Sequence, residues 1–172
     1  MGGNSLLVKA RVLNGLLLNS GKERVDFPEF CKLISELVEC NVFLASKKGK
    51  LLAYNMLISP KDISASSSYL SAVNNHFLMG VINTVMTQVS NFGMGFFATV
   101  EEDMLTTLIP IHCGGEKLGT LILQREMVGS EFNEDDIVIS EFAAVIIGME
   151  IARTQAKEYD ESVQERAMVQ MA

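Results

Sequence analysis

A chain of 172 residues, 48% hydrophobic and 20% charged, carries enough apolar side chain for one buried core and too much for a disordered segment. Its formal net charge of −7 argues against this chain gripping a phosphate backbone unaided, which needs clustered lysine and arginine. No run approaches the ~20 apolar residues of a membrane-spanning helix, so no membrane partner is expected.

Residues 5–18 predict an amphipathic helix. Leu6, Leu7, Ala10, Val12, Leu13, Leu16 and Leu17 recur at helical spacing, with Asn4 as cap and Gly21 as stop. A second helix is expected from Asp26 to about Val38. Pro28 lies in its first turn, and Asp26 with Glu29 has the spacing of a capping box. Asn41–Ser46 and Leu51–Asn55, flanking the turn at Lys47, Lys48, Gly49 and Lys50, predict a β-hairpin. The serine-rich stretch 59–75 reads as loop, 81–89 as helix, and 93–100, 105–111 and 118–124 as strands. Cys113, Gly114, Gly115, Glu116 and Lys117 form a turn between the last two strands; they do not match the phosphate-binding pattern GxxxxGK[ST].

Asn133 followed by Glu134, Asp135 and Asp136 opens the last helix, with a capping side chain and acidic groups at its positive end. From Ile137 to Ile151 the helix is apolar on nearly every face, which predicts burial all round. One small sheet covers only one side, so the other side, together with helix 5–18, is expected to meet a second subunit or another helix. Beyond Arg153 the helix turns charged, and the acidic run Glu158–Glu161 reads as a solvated face. A helix continuing to the last residues would be roughly 60 Å long, more than a domain of this size needs, so the chain is expected to continue. Short turns between the strands imply an α+β fold, an antiparallel sheet flanked by helices with a long C-terminal helix.

Between Lys61 and Lys117 there is no lysine or arginine, while Phe77, Met79, Met94, Phe96 and Phe97 fall inside that span. The segment reads either as plain core or as the wall and lid of an apolar pocket. His76 and His112 are the sole histidines, and no HExxH or CxxC accompanies them, so no metal is expected. Cys31, Cys40 and Cys113 are odd in number and unpaired by motif, which suggests reduced thiols and a cytoplasmic location.

Several motifs resemble the CodY family of transcriptional repressors from low-GC Gram-positive bacteria. They are Ser5-Leu-Leu, Lys48-Gly-Lys-Leu-Leu, Leu105-Thr-Thr-Leu-Ile-Pro-Ile, Gly115-Glu-Lys-Leu-Gly-Thr-Leu-Ile-Leu, Glu131-Phe-Asn-Glu-Asp-Asp-Ile-Val, Gly148-Met-Glu-Ile and Ala167-Met-Val-Gln-Met-Ala. Their order and spacing carry the resemblance, which is weak over about 57–103. It implies a GAF sensor domain over 1–152, and at 153–172 the start of a linker helix toward a winged helix-turn-helix domain missing from this chain. It also implies a homodimer through the N-terminal helix and the 137–172 helix, with DNA bound by the missing domain. The implied effector is isoleucine, leucine or valine, with GTP as a further effector through the family alone and no covalent cofactor.

The family's pocket holds the effector carboxylate with an arginine; aligning Phe77 with a family phenylalanine places Ser67 at that position and Leu78 at a family proline. Phe97, Ala98, Thr99 and Val100 stand in for a short strand that supplies backbone contacts. The implied ligand-binding set is therefore Lys61, Ser67, Phe77, Met79, Met94, Phe96, Phe97, Thr99 and Val100. A buried carboxylate needs a charge partner or several N–H donors, and Lys61, His76 or backbone N–H groups are the candidates. A dimerisation scaffold that has lost or altered effector binding is the competing expectation. An enzyme using the cysteines is not expected, because no catalytic motif accompanies them.

Overall fold

The computed structural model describes residues 5–19, 26–57, 75–90, 104–126 and 131–171. Helix α1 (Leu6–Asn19) begins where Ser5 Oγ accepts the Val8 N–H at 3.4 Å, so Ser5 takes a capping role; Asn4 lies outside the described residues. Helix α2 (Phe27–Val38) starts after Asp26, whose backbone is extended, but the Asp26 side chain makes no capping bond. The expected capping box is thus absent at Asp26, and the helix start rests on Pro28 and on the Phe30 N–H to Asp26 carbonyl bond of 3.0 Å. The helix ends at Glu39, a non-glycine residue in left-handed conformation (φ 55°). Ser35 clamps that turn: its carbonyl accepts the Cys40 N–H at 3.2 Å and its hydroxyl donates to the Cys40 carbonyl at 2.5 Å.

Strands β1 (Asn41–Ser46) and β2 (Leu51–Asn55) form the expected hairpin. Helix α3 (Asn75–Asn83) and the short strand β3 (Gln88–Ser90) follow, then β4 (Met104–Cys113) and β5 (Glu116–Glu126). Helix α4 runs unbroken over Glu134–Met171, so position 152/153 falls inside one helix. The five strands form one antiparallel sheet in the order β2-β1-β5-β4-β3. The β4–β5 turn carries positive φ at both Gly114 (62°) and Gly115 (80°), the two-residue hairpin geometry that suits the sheet's twist.

The expected helix over 81–89 is corrected: the helix lies earlier, and Gln88–Ser90 pairs with Leu108–Thr106 on the sheet edge. Side chains from β5 and the Thr84 hydroxyl, which donates to the Gly80 carbonyl, meet the carbonyls at the end of the helix. Lys117 Nζ donates to the Val81 and Ile82 carbonyls at 2.9 Å each, and Thr120 Oγ1 donates to Val81 O at 3.0 Å. Those donors satisfy carbonyls that a longer helix would have used internally. The expected loop over 59–75 and strand over 93–100 lie outside the described residues, apart from Asn75, which opens α3.

Residues alternate between the two faces of the sheet. Val42 and Leu44 of β1, Ile109 of β4, and Leu121 and Leu123 of β5 point to the near face, into one core with Ile34 of α2, Leu13 of α1 and Ala143 and Ile147 of α4. Asn41 and Phe43 of β1, Thr106 and Leu108 of β4, and Thr120, Ile122 and Gln124 of β5 point to the far face, the side on which Thr120 reaches α3. Helix α4 is not buried all round: Val138, Val145 and Met149 are exposed along one stripe, and so are Leu7, Val8 and Val12 of α1.

A buried ion pair fastens the near-face layer. Arg125 at the end of β5 pairs with Asp136 of α4 at 3.1 Å and donates to the Val38 carbonyl at the end of α2. Its guanidinium lies 4.2 Å from the Phe132 ring centroid. Asn133 and Asp136 cap α4 reciprocally, with the Asp136 N–H on Asn133 Oδ1 at 2.8 Å and the Asn133 N–H on Asp136 Oδ2 at 3.1 Å. One carboxylate thus serves the cap and the ion pair together.

Candidate functional site on the far face of the sheet

Three strands build the far-face floor from residues on directly paired positions. Phe43 on β1 is paired with Ile122 on β5, and Ile122 with Leu108 on β4. All three are buried, and Phe43 stacks on Tyr54 of β2 with ring centroids 6.2 Å apart. None belongs to the near-face core. Val81 of α3 is also buried outside that core, and its carbonyl is the one gripped by Thr120 and Lys117. Partial burial pulls the Lys117 pKa below the ordinary lysine value. The far face therefore combines an apolar floor with a helix fastened at its C-terminal end to β5.

Of the residues expected at the site, Lys61, Ser67, Met94, Phe96, Phe97, Thr99 and Val100 lie outside the described residues. Phe77 falls within α3, the far-face helix. Met79 is also on α3, and its side chain is 52% exposed. The floor residues Phe43, Leu108 and Ile122 and the clasp residues Lys117 and Thr120 were not singled out by sequence reasoning. Alternation within each strand marks them as a set, but only the packing of α2 and α4 tells which set faces which way.

A separate open groove of about 430 Å³ lies at the β3–β4 side, lined by Val85, Met86, Pro110 and His112 and by Glu141 and Val145 of α4. Thr87 Oγ1 donates to Glu141 Oε2 across it at 2.8 Å. Among the described residues, none of those expected at the site lines it. Among the described residues no cluster of three or more His, Cys, Asp or Glu could hold a metal, and no helix is long and apolar enough to cross a membrane.

Cys31 and Cys40 are buried, and burial pushes both thiols up to about 12. Near pH 8 neither forms appreciable thiolate, so iodoacetamide is expected to modify the half-buried Cys113 alone in the native protein and all three after unfolding. Mass spectrometry of the labelled chain checks this. The folded pKa of about 12 exceeds the ordinary 9.0, so stability from the neutral thiols is complete below about pH 9 and is lost as pH rises from there toward 12.

An antiparallel sheet in the order 2-1-5-4-3, with N- and C-terminal helices on one face and α3 on the other, defines a GAF domain. A GAF domain of a phosphoenolpyruvate-protein phosphotransferase from Coxiella burnetii superposes with a TM-score of 0.58 at 19% identity, covering 91% of this chain and 99% of that one, and shows the fold alone. The chain belongs to the CodY GAF-like domain family, which it matches over residues 5–172. The GAF domain of the nutrient sensor CodY from Clostridium difficile, described as cofactor-binding, superposes with a TM-score of 0.57 at 27% identity over 87% of this chain and 99% of that one. The global transcriptional regulator CodY of Clostridium tetani is 38% identical over 178 residues, and that of Thermoanaerobacter sp. strain X514 is 34% identical over 170. Both alignments cover 98% of this chain, which spans 68% and 66% of those two relatives. Both of these relatives are global transcriptional regulators.

Proposed function

We propose that this chain is the effector-sensing part of a CodY-type repressor, taking a small hydrophobic metabolite of the branched-chain amino acid class on the far face of the sheet. The observation that carries the reading is the buried floor of Phe43, Leu108 and Ile122, set apart from the main core and facing the side on which α3 is clasped. An apolar floor of this kind suits an aliphatic side chain, worth about 1.5–3 kcal/mol on full burial. Lys61, Ser67, Phe77, Met79, Met94, Phe96, Phe97, Thr99 and Val100 complete the proposed site. Ser67 in place of the family arginine leaves the carboxylate to Lys61, His76 or backbone N–H groups. GTP enters through the family alone; the Gly114–Gly115 turn is a tight hairpin and offers no helix N-terminus for phosphate.

Strand β5 supplies the link from effector to output. Lys117 and Thr120 hold α3, and Arg125 on the same strand holds the start of α4. An effector that binds one position of α3 more tightly than another biases α4 by that difference in affinity, and α4 leads toward a DNA-binding domain of the kind the longer relatives need for their regulatory role. The exposed stripes on α1 and α4 support a homodimer through these two helices in the cytoplasm.

Isothermal calorimetry with isoleucine, leucine and valine tests the reading. We expect heat from at least one of them and a rise in melting temperature, since a ligand at a hundred times its Kd stabilises by about 2.7 kcal/mol. Neither heat nor thermal shift at millimolar ligand would leave the dimerisation scaffold as the function, in line with the arginine lost at Ser67.

A further inference from the structure

One register row of the far face is polar on the three central strands. Asn41 on β1 pairs with Gln124 on β5, and Gln124 with Thr106 on β4, so the row places a polar side chain on three adjacent strands. The next row inward is Phe43, Ile122, Leu108 and Gln88, apolar on the three central strands. Gln124 and Thr106 are each 1% exposed. Gln124 Oε1 and Thr106 Oγ1 nonetheless have no hydrogen-bond partner among the described residues.

A buried polar atom without a partner destabilises the fold by its uncompensated desolvation, and here two stand on directly opposed residues of antiparallel strands, whose Cα atoms are about 5 Å apart. Valine and methionine would fill the same volumes without that cost. An amide carbonyl and a hydroxyl aimed at the same face offer several lone pairs and no negative charge. Their complement is a group with several N–H donors that reaches the sheet alongside an apolar body on Phe43 and Ile122.

We propose that Gln124 and Thr106 form the subsite for the protonated primary amine of the effector. The amine donates to Gln124 Oε1 and Thr106 Oγ1, while the aliphatic part lies on the neighbouring apolar row. This assignment rests on the effector reading above and deepens it: the ligand is an amphiphile recognised through its ammonium group, not an aliphatic acid recognised through its carboxylate alone. It also predicts that the unliganded domain is less stable than it could be at these two positions.

The test compares isoleucine with its 2-oxo acid, which keeps the side chain and carboxylate but has no N–H, by calorimetry on the wild type, Gln124→Met and Thr106→Val. We expect the wild type to bind isoleucine at least tenfold more tightly than the oxo acid. Each variant should lose most of that preference, with isoleucine weakened tenfold or more and the oxo acid unchanged. Each variant's melting temperature without ligand should equal or exceed that of the wild type, because an unsatisfied group has been removed; a residue that merely supports the fold would lower it. A wild type that binds isoleucine and the oxo acid equally overturns the subsite and leaves the effector reading standing. So does isoleucine affinity that survives both substitutions, or a lower melting temperature with the preference intact. A wild type that binds neither compound removes the effector reading and the subsite together.

Discussion

Arg125→Leu is expected to destabilise the domain by about 3–5 kcal/mol, the usual consequence of leaving one member of a buried ion pair without its partner. The guanidinium joins three elements: Asp136 at the start of α4, the Val38 carbonyl at the end of α2, and the Phe132 ring. Its loss strands a carboxylate that is only 8% exposed. The double variant Arg125→Leu with Asp136→Leu should recover part of the loss, because both desolvation costs then vanish, while the cap from Asp136 to Asn133 is still forfeited. Urea denaturation of the two variants measures this. A single-variant loss below about 1 kcal/mol would mean that the pair behaves as a solvated surface bridge.

Gly148→Ala is expected to cost about 1–3 kcal/mol through overpacking. A Cβ at this position would stand 2.7 Å from the His112 carbonyl oxygen and 3.2 Å from Ile111 Cγ2. The first neighbour is backbone, so no rotamer relieves it; α4 must move away from β4. Alanine gains about 1 kcal/mol of helix propensity over glycine, and the clash has to exceed that gain. Gly15→Ala in α1 is the control, since a Cβ there meets nothing within 4 Å and the propensity gain stands alone. Thermal unfolding should show opposite shifts, at about 2–4 °C per kcal/mol for a chain of this size. Because α4 is the proposed output element, Gly148→Ala should also disturb the coupling between effector and helix, read as altered dimer affinity by sedimentation.

The helices and hairpins were legible where the signal is local. The α1 and α2 boundaries follow from apolar spacing and from Pro28, and the β1–β2 and β4–β5 hairpins from glycines between apolar runs. The family motifs point to the GAF fold, since several of them sit in β4, β5 and α4, the elements that define the sheet centre and its covering helix. Reading failed where a distant residue decided the outcome. At the end of α3 the Thr84 hydroxyl donates to the Gly80 carbonyl, but the Val81 and Ile82 carbonyls are taken by Lys117 and Thr120, more than thirty residues downstream in β5. The Asp26 capping box has the right spacing, but the side chain makes no capping bond.

For the candidate site, the residue types and the segment free of fixed positive charge suggested a pocket, yet only two of the nine expected residues, Phe77 and Met79, fall among those described. What amino-acid order could settle was the class of fold and the family, because helix and strand periods and motif spacing are properties of neighbouring residues. Which strand face is core and which is floor, and that Gln124 and Thr106 meet there with polar atoms unmatched by any described residue, emerged from the fold. Alternation labels two sets of side chains on a strand but is silent on direction, and cross-strand register is set by packing between segments far apart in the chain.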